Sequence, residues 1–454
     1  MQYAVIVIGA GIGGLTTAAL LAARGVNVCL LERQSQVGGC AANVEHLGYT
    51  FEPTFGMYSG WEDGGAWHRI FAELPVSLPQ VTKLSPNYVV HLPDGRNVEV
   101  SADSGSLEAA IRSAFPECAD AAIGFISRVT RAANGASLTD LLEGTSQEFR
   151  WFIDAQLQTF AQRTSTQCSL TQATAAFQFA TGAVWSIEGG AQALADRLAD
   201  SIKGSGASLR LNSPVLRLAY GNDGTPIGVD LLNGERVIAR RAIVSNLTIW
   251  DTYGKLIGPG RTPREVATQL KKLTAWGAYQ MFLGIDEAAI DALPGPRAIL
   301  TFEPDRGAYD PERDSLALNL ITTVGKAPAG KRALTTIAFT HAEDWFGFHE
   351  DHSWHEERDQ GMLETWWARL HRALPQLGDS LEVIETGTPQ TVYETTRRKF
   401  GMVGAPLGIE NLTPLERPFP NLFIIGDTVS EGLGMEGVAH SALKVADQIT
   451  HRAH

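Results

Sequence analysis

Six residues, Gly9-Ala10-Gly11-Ile12-Gly13-Gly14, sit between an apolar run at 4–8 and a Leu/Ala-rich stretch that ends at Gly25. Strand, glycine turn and helix in that order make a nucleotide-binding turn. Gly9 makes the bend, Gly11 lets the backbone approach a pyrophosphate, and Gly14 lets helix and strand pack closely. Ile12 and Gly13 lie at the helix start, where free N–H groups and the helix dipole attract phosphate charge. A second apolar run, 26–31, ends at Glu32-Arg33, and Glu32 stands 18 residues past Gly14. A carboxylate at that distance accepts from both hydroxyls of an unphosphorylated ribose.

A matching set lies near the other end. Residues 421–427 read as a buried strand ending in Gly426-Asp427, and Gly432-Leu433-Gly434-Met435-Glu436-Gly437-Val438 opens a final helix. A helix N-terminus stabilises negative charge placed against it. Motifs so far apart form one site only if the chain returns to its first sheet. Between them, Ser186-Ile187-Glu188-Gly189-Gly190 leads into a helix at 191–202, and strands follow at 207–218 around Pro214-Val215. Residues 228–235 then read as a hairpin with an Asn233-Gly234 turn, and 240–246 returns a strand to the sheet.

The sequence resembles a large FAD-binding superfamily that includes amine oxidases, and within it bacterial phytoene desaturases, carotenoid isomerases and retinol saturases. The resemblance rests on Gly38-Gly39-Cys40-Ala41, on Gly48-Tyr49-Thr50-Phe51-Glu52, on Thr388-Pro389 with Thr396, Arg397 and Gly401, and on the run from Gly426 through Ala442. It implies an α/β fold: a Rossmann-type, glutathione-reductase-like FAD-binding domain with a parallel sheet, interleaved with an α+β substrate-binding domain. The FAD-binding domain would comprise 1–60, 186–249 and 405–454, and the substrate-binding domain 61–185 and 250–404 with a helical cap. FAD, held noncovalently, would contact Gly9, Gly11, Ile12, Gly13, Gly14, Glu32, Arg33, Gly38, Gly39, Cys40, Gly426, Gly434, Met435, Gly437 and Val438. The backbone at Val215 would meet adenine, Asp427 would accept from the ribityl chain, and the final helix would face the flavin pyrimidine.

Two departures stand out. Phytoene desaturases usually carry Gly-Gly-Arg where this chain has Gly39-Cys40, and an Ile-Pro-like pair where it has Met435-Glu436. Glu436, with His440 one turn later, is a candidate proton donor or acceptor; a first-turn acid that suits the helix dipole explains it equally well. The implied activity is hydride transfer between flavin and an apolar, isoprenoid-like molecule: desaturation, isomerisation or saturation of carbon–carbon bonds. A flavin amine or amino-acid oxidase is the alternative, with Arg397 or Arg398 as substrate anchor, although such enzymes usually have Gly-Glu at Gly426-Asp427. A flavin-free escort-type relative would not keep Gly9, Gly11, Gly14, Glu32 and Asp427 together.

The substrate pieces carry helical periodicity at 107–115, 119–133, 147–163 and 170–181, strand-like runs at 278–283 and 315–322, and a Ser353/Glu356 capping box. An antiparallel sheet with helices over one face would build an apolar pocket. Nine tryptophans fall there, from Trp61 to Trp367; most are expected in core, and any beside the flavin would favour a flat apolar substrate. His349, His352 and His355, with Glu350, Asp351 and Glu356, lack the spacing of helical metal motifs and read as a solvated helix start, so no metal is expected. A net charge of −13 without a basic run argues against nucleic acid or an anionic membrane as main partner. Cys29, Cys40, Cys118 and Cys168 show no disulfide framework, and no stretch is long enough to span a bilayer. A cytoplasmic protein touching membranes at most peripherally is expected, and its oligomeric state is left open.

Overall fold

The computed structural model describes residues 1–131, 137–304, 307–346, 352–407, 418–430 and 434–451. Two large sheets organise it. The first runs in the order Val215–Tyr220, Pro226–Leu231, Arg236–Ser245, Gln2–Ile8, Val28–Leu31, Ser208–Arg210, with Leu422–Ile424 also on Arg236–Ser245. Its inner pairs are parallel, and the Pro226–Leu231 hairpin makes an antiparallel edge. Parallel strands are covered on both faces, which is why Val5, Ile6, Val7 and Val28 to Leu31 are all buried. One face packs on helices Ile12–Ala23, Gly190–Gly204 and Gly434–His451.

The second sheet runs Leu381–Gly387, Thr274–Asp286, Lys331–His341, Ser315–Leu320, Arg297–Thr301, Tyr88–His91, Asn97–Val100, and Met402–Leu407 also pairs with Thr274–Asp286. It is antiparallel apart from the Arg297–Thr301/Tyr88–His91 pair. Alternate residues of Thr274–Asp286 face opposite ways. Tyr279, Met281 and Leu283 pack with Trp345, Trp366 and Leu370 beneath the long helix His352–Ala373, while Ala278 and Trp276 on the opposite face pack with Ala317, Ile337, Phe339 and Phe55. Trp345 and Trp366 are therefore core, and Trp276 is buried on the opposite face of the second sheet.

Helices Gln147–Ala161 and Leu170–Thr181 form where apolar periodicity meets a cap: Ser146 Oγ accepts from Phe149 N, and Ser169 makes a capping box with Gln172. The helix expected over 119–133 stops at Val129, and 132 and 133 lie outside the described residues. Ser353 lies inside the first turn of its helix rather than before it. Ala66–Glu73 and Ile249–Asp251, placed by sequence at or within the substrate piece, share cores with the first sheet. Two domains, each built on one sheet, are the division we propose.

Candidate functional site

Four parallel strands of the first sheet end side by side, and each hands the chain on to a residue of one cluster: Gly9, Glu32, Asn246 and Gly426. The carboxyl ends of such strands are where α/β sheets bind ligands. Backbone bonds keep the ends in step: Gly9 N donates to Leu31 O at 2.8 Å, Asn246 N to Ile8 O at 2.9 Å and Ile425 N to Ser245 O at 2.9 Å.

Sterics explain the glycines. Gly9 has φ +93°, and a Cβ on Gly14 would stand 2.0 Å from the Gly9 carbonyl oxygen. At Gly11 and Gly13 the obstacle is the Asn246 side-chain amide, 2.9 and 2.6 Å from where their Cβ atoms would be, and at Gly426 it is the same amide at 3.1 Å. Val438 closes on Gly13 from the final helix at 3.0 Å. Asn246 is thus a hub that sequence reading passed over; its signal was a polar residue closing a buried strand. Gly38 N donates to Ala10 O at 2.9 Å, and a Cβ on Gly39 would lie 3.1 Å from the Gly11 Cα, so the second glycine pair lies against the first.

The helix Ile12–Ala23 begins with no side-chain cap and no acid in its first turn, leaving its N–H groups for an anion. Glu32 accepts from Ala10 N and Gln34 N, both at 2.7 Å, and each carboxylate oxygen keeps a lone pair for a hydroxyl. Ser213 N donates to the Glu32 carbonyl at 2.7 Å, which sets the half-buried Val215 two residues further along the same wall. Arg33 Nη2 donates to the carbonyls of Glu394 and Thr395 at 2.8 and 2.9 Å, while its buried Nε has no partner. Burial, and then Arg397, pulls the Arg33 guanidinium below its ordinary pKa. A backbone too close for side chains, an uncapped helix end and an unpaired buried guanidinium nitrogen fit a nucleotide diphosphate with its ribose.

Asp427 meets a partner the sequence reading did not assign to it. Arg398 grips it with two nitrogens, Nη1 to Oδ1 at 3.2 Å and Nη2 to Oδ2 at 2.9 Å, and Arg398 Nε donates to Met402 O at 3.0 Å. Burial opposes the Arg398 charge, but Asp427, Cys40 and Asp251 together outweigh it and hold the guanidinium above its ordinary pKa. Arg398 is therefore committed, and Arg397 stacks on Tyr393, 5.1 Å from the ring centroid. Arg398 is therefore not free to anchor a substrate. Cys40 is open to solvent yet walled in: the surrounding protein pushes its thiol up, and Arg398 opposes that shift.

The final helix is described from Gly434, so Gly432 and Leu433 lie outside the described residues. Met435 and Glu436 are half-buried and Gly437 is buried. Glu436 Oε1 lies 3.7 Å from His440 Nε2, and the Glu436 Cγ is 3.0 Å from where a Cβ on Gly60 would stand. Glu436→Gln keeps the shape and removes the titration; if Glu436 moves a proton, turnover is expected to fall about a hundredfold and lose one limb of its pH profile. An unchanged profile at every pH would assign Glu436 to the helix dipole.

Three strands of the second sheet, Ser315–Leu320 with its neighbour Arg297–Thr301 and, beyond Lys331–His341, Thr274–Asp286, reach across to one extended segment. Gln280 Nε2 donates to Pro53 O at 2.9 Å, Asn319 Nδ2 to Thr54 O at 2.9 Å and Arg297 Nε to Gly56 O at 2.8 Å. Glu52, which begins that segment, is buried; it accepts from Tyr58 Oη, from Thr54 Oγ1 at 3.1 Å and from Ala191 N at 3.2 Å. Burial raises its pKa, against Ala191 N–H and Arg297. The sequence signal was a polar residue inside an otherwise apolar strand, as at Gln280 and Asn319. Among the described residues no three His, Cys, Asp or Glu side chains gather as a metal site, and no helix is long and apolar enough to cross a membrane. His349, Glu350, Asp351 and the side chain of His352 lie outside the described residues.

The profile of a family described as flavin containing amine oxidoreductase matches residues 12–450. A chloroplastic prolycopene isomerase from Daucus carota is 26% identical over 500 aligned positions, covering 99% of this chain and 80% of that protein. A phytoene desaturase from Cercospora nicotianae is 40% identical over 104 residues, 22% of this chain and 16% of the other. The crystal structure of an oxidoreductase from Methanosarcina mazei superposes with a TM-score of 0.70 at 19% identity, covering 98% of this chain and 100% of that one.

Proposed function

The chain belongs to the flavin-containing amine oxidoreductase family and is an FAD-dependent oxidoreductase, and from that premise we propose that its substrate is an apolar polyene whose carbon–carbon bonds it desaturates, isomerises or saturates. The observation that carries the reading is the likeness to a prolycopene isomerase along 99% of the chain. The apolar cluster of Trp276, Ala278, Ala317, Ile337 and Phe339 on the second sheet supports it. Bound FAD supplies hydride acceptance and donation.

The chain's own part is binding, orientation and charge. The Gly9 to Gly14 turn and the Ile12–Ala23 N-terminus would hold the diphosphate, Glu32 the adenosine ribose, and Gly38-Gly39 a second length of backbone against the phosphates. The N-terminus of Gly434–His451 would face the flavin pyrimidine and stabilise negative charge there. Glu436 would hold or release a proton beside it, with His440 as its partner. The second sheet would exclude water from the reacting carbons. No side chain among those described ties the cofactor covalently in this reading.

Anaerobic mixing of the holoprotein with NADPH or NADH is expected to leave the flavin absorbance unchanged, whereas a polyene such as prolycopene is expected to be isomerised, or to bleach the flavin by giving it a hydride while a proton leaves the neighbouring carbon. Rapid bleaching by a nicotinamide would point to a reductase or saturase. Flavin reduction by a primary amine or amino acid, with every polyene inert, would replace the reading by an oxidase.

A further inference from the structure

A cavity of about 480 Å³ lies against the second sheet, walled on its other sides by Asn43, Thr50, Glu52, residues 80–82 and 186–190, and none of the residues proposed for FAD lines it. Its walls are polar: Glu52, Arg297, Asn319, Lys326, Thr322 and the Gly189-Gly190 turn. A purely apolar substrate would leave such walls unsatisfied.

The unspent groups in the cavity wall are mainly cationic donors. Arg297 is 8% exposed, its Nε is used on Gly56 O, and among the described residues nothing else hydrogen-bonds it or pairs with it. Burial lowers its pKa, opposed by Glu52, yet no ion pair closes between the two. Glu52 is already supplied, by Tyr58, Thr54, Ala191 N and, at 3.5 Å, Asn319. Lys326 lines the cavity and has no ion pair among the described residues, while Glu188, the other acid on the wall, is exposed. The helix Gly190–Gly204 also starts at this wall, but Glu52 already meets its N-terminus through Ala191 N at 3.2 Å, so the groups left for an anion are the Arg297 guanidinium and Lys326.

The segment that begins at Glu52 leads away from the cavity to Gly60, which abuts Glu436 on the final helix. We propose that the cavity binds the anionic oxygen end, a carboxylate, of a substrate whose body is an apolar chain. The charged end is argued from the cavity itself; the chain rests on the function proposed above.

The test is calorimetric titration of the holoprotein with dodecanoate, dodecanol and acetate, below the concentrations at which the long chains aggregate. Dodecanoate is expected to bind about tenfold or more tighter than dodecanol, since a charge-assisted bond to a buried guanidinium is made only by the acid. Arg297→Met should erase that ratio without weakening dodecanol, and Arg297→Lys should keep part of it. Because Arg297 also holds Gly56, Lys326→Met serves as a second variant, expected to lower dodecanoate affinity severalfold and leave dodecanol unchanged. Equal binding of acid and alcohol by the native protein would overturn the site while leaving the apolar-substrate reading in place. Acetate binding as tightly as dodecanoate would overturn the chain-end assignment and with it weaken that reading. A preference for dodecanoate that survives in both Arg297→Met and Lys326→Met would place the carboxylate elsewhere and overturn the proposal.

Discussion

Gly14→Ala is expected to yield a protein without FAD and less stable by about 3 kcal/mol or more, because the new methyl would stand 2.0 Å from the Gly9 carbonyl oxygen. That contact is backbone against backbone, so no rotamer change relieves it. The turn must open, and opening it separates the Ile12–Ala23 N-terminus from Gly9, Asn246 and the Gly38-Gly39 pair that lie against it. Thermal melting and the flavin-to-protein absorbance ratio read the two consequences. The control is Gly361→Ala on an open stretch of the helix His352–Ala373, where the loss of glycine flexibility should stabilise by up to about 1 kcal/mol. Equal behaviour of the two variants would mean that the glycine turn is not what holds the fold and the cofactor together.

Arg398→Gln is expected to raise the FAD dissociation constant about tenfold to a hundredfold, roughly 1.4–3 kcal/mol, with little loss of thermal stability in the apoprotein. A guanidinium arrives beside Cys40 from a distant part of the chain, held in place by Asp427. Because Asp427 is over a third exposed, solvent screens the pair and its direct share in stability is small. The readouts are FAD titration of the apoprotein and its salt dependence, which should flatten in the variant. Cys40 offers an independent probe. Its thiol is pushed above the ordinary range, so alkylation near pH 8 should be slower than for a free cysteine and rise with pH. Removing Arg398 takes away the charge that opposes this shift and should slow alkylation further. A variant that binds FAD normally and alkylates at the native rate would show that Arg398 only ties Met402 to Asp427.

The nucleotide turn was legible in the sequence because its constraints are local. Gly9, Gly11 and Gly14 answer to a bend and a close approach within one turn of chain, and Glu32 to the length of one helix and one strand. Helices such as Leu170–Thr181 were legible for the same reason, since apolar spacing and the Ser169/Gln172 cap lie within the element itself. The family resemblance then joined the two ends of the chain, which periodicity alone does not do.

The tertiary structure decided which distant side chains share a space. Asn246 became the hub of the glycine turn because Arg236–Ser245 lies between Gln2–Ile8 and Leu422–Ile424, an order of strands no local pattern carries. Arg398 met Asp427 and Cys40 across the junction of segments far apart in sequence, and Gln280, Asn319 and Arg297 met one segment because their strands share one sheet. Sequence spacing determines what a residue can do within its own turn or strand. Pair partners, burial and the sign of an unspent charge depend on long-range packing, and so the glycine turn was written in the chain while the polar cavity at Arg297 was not.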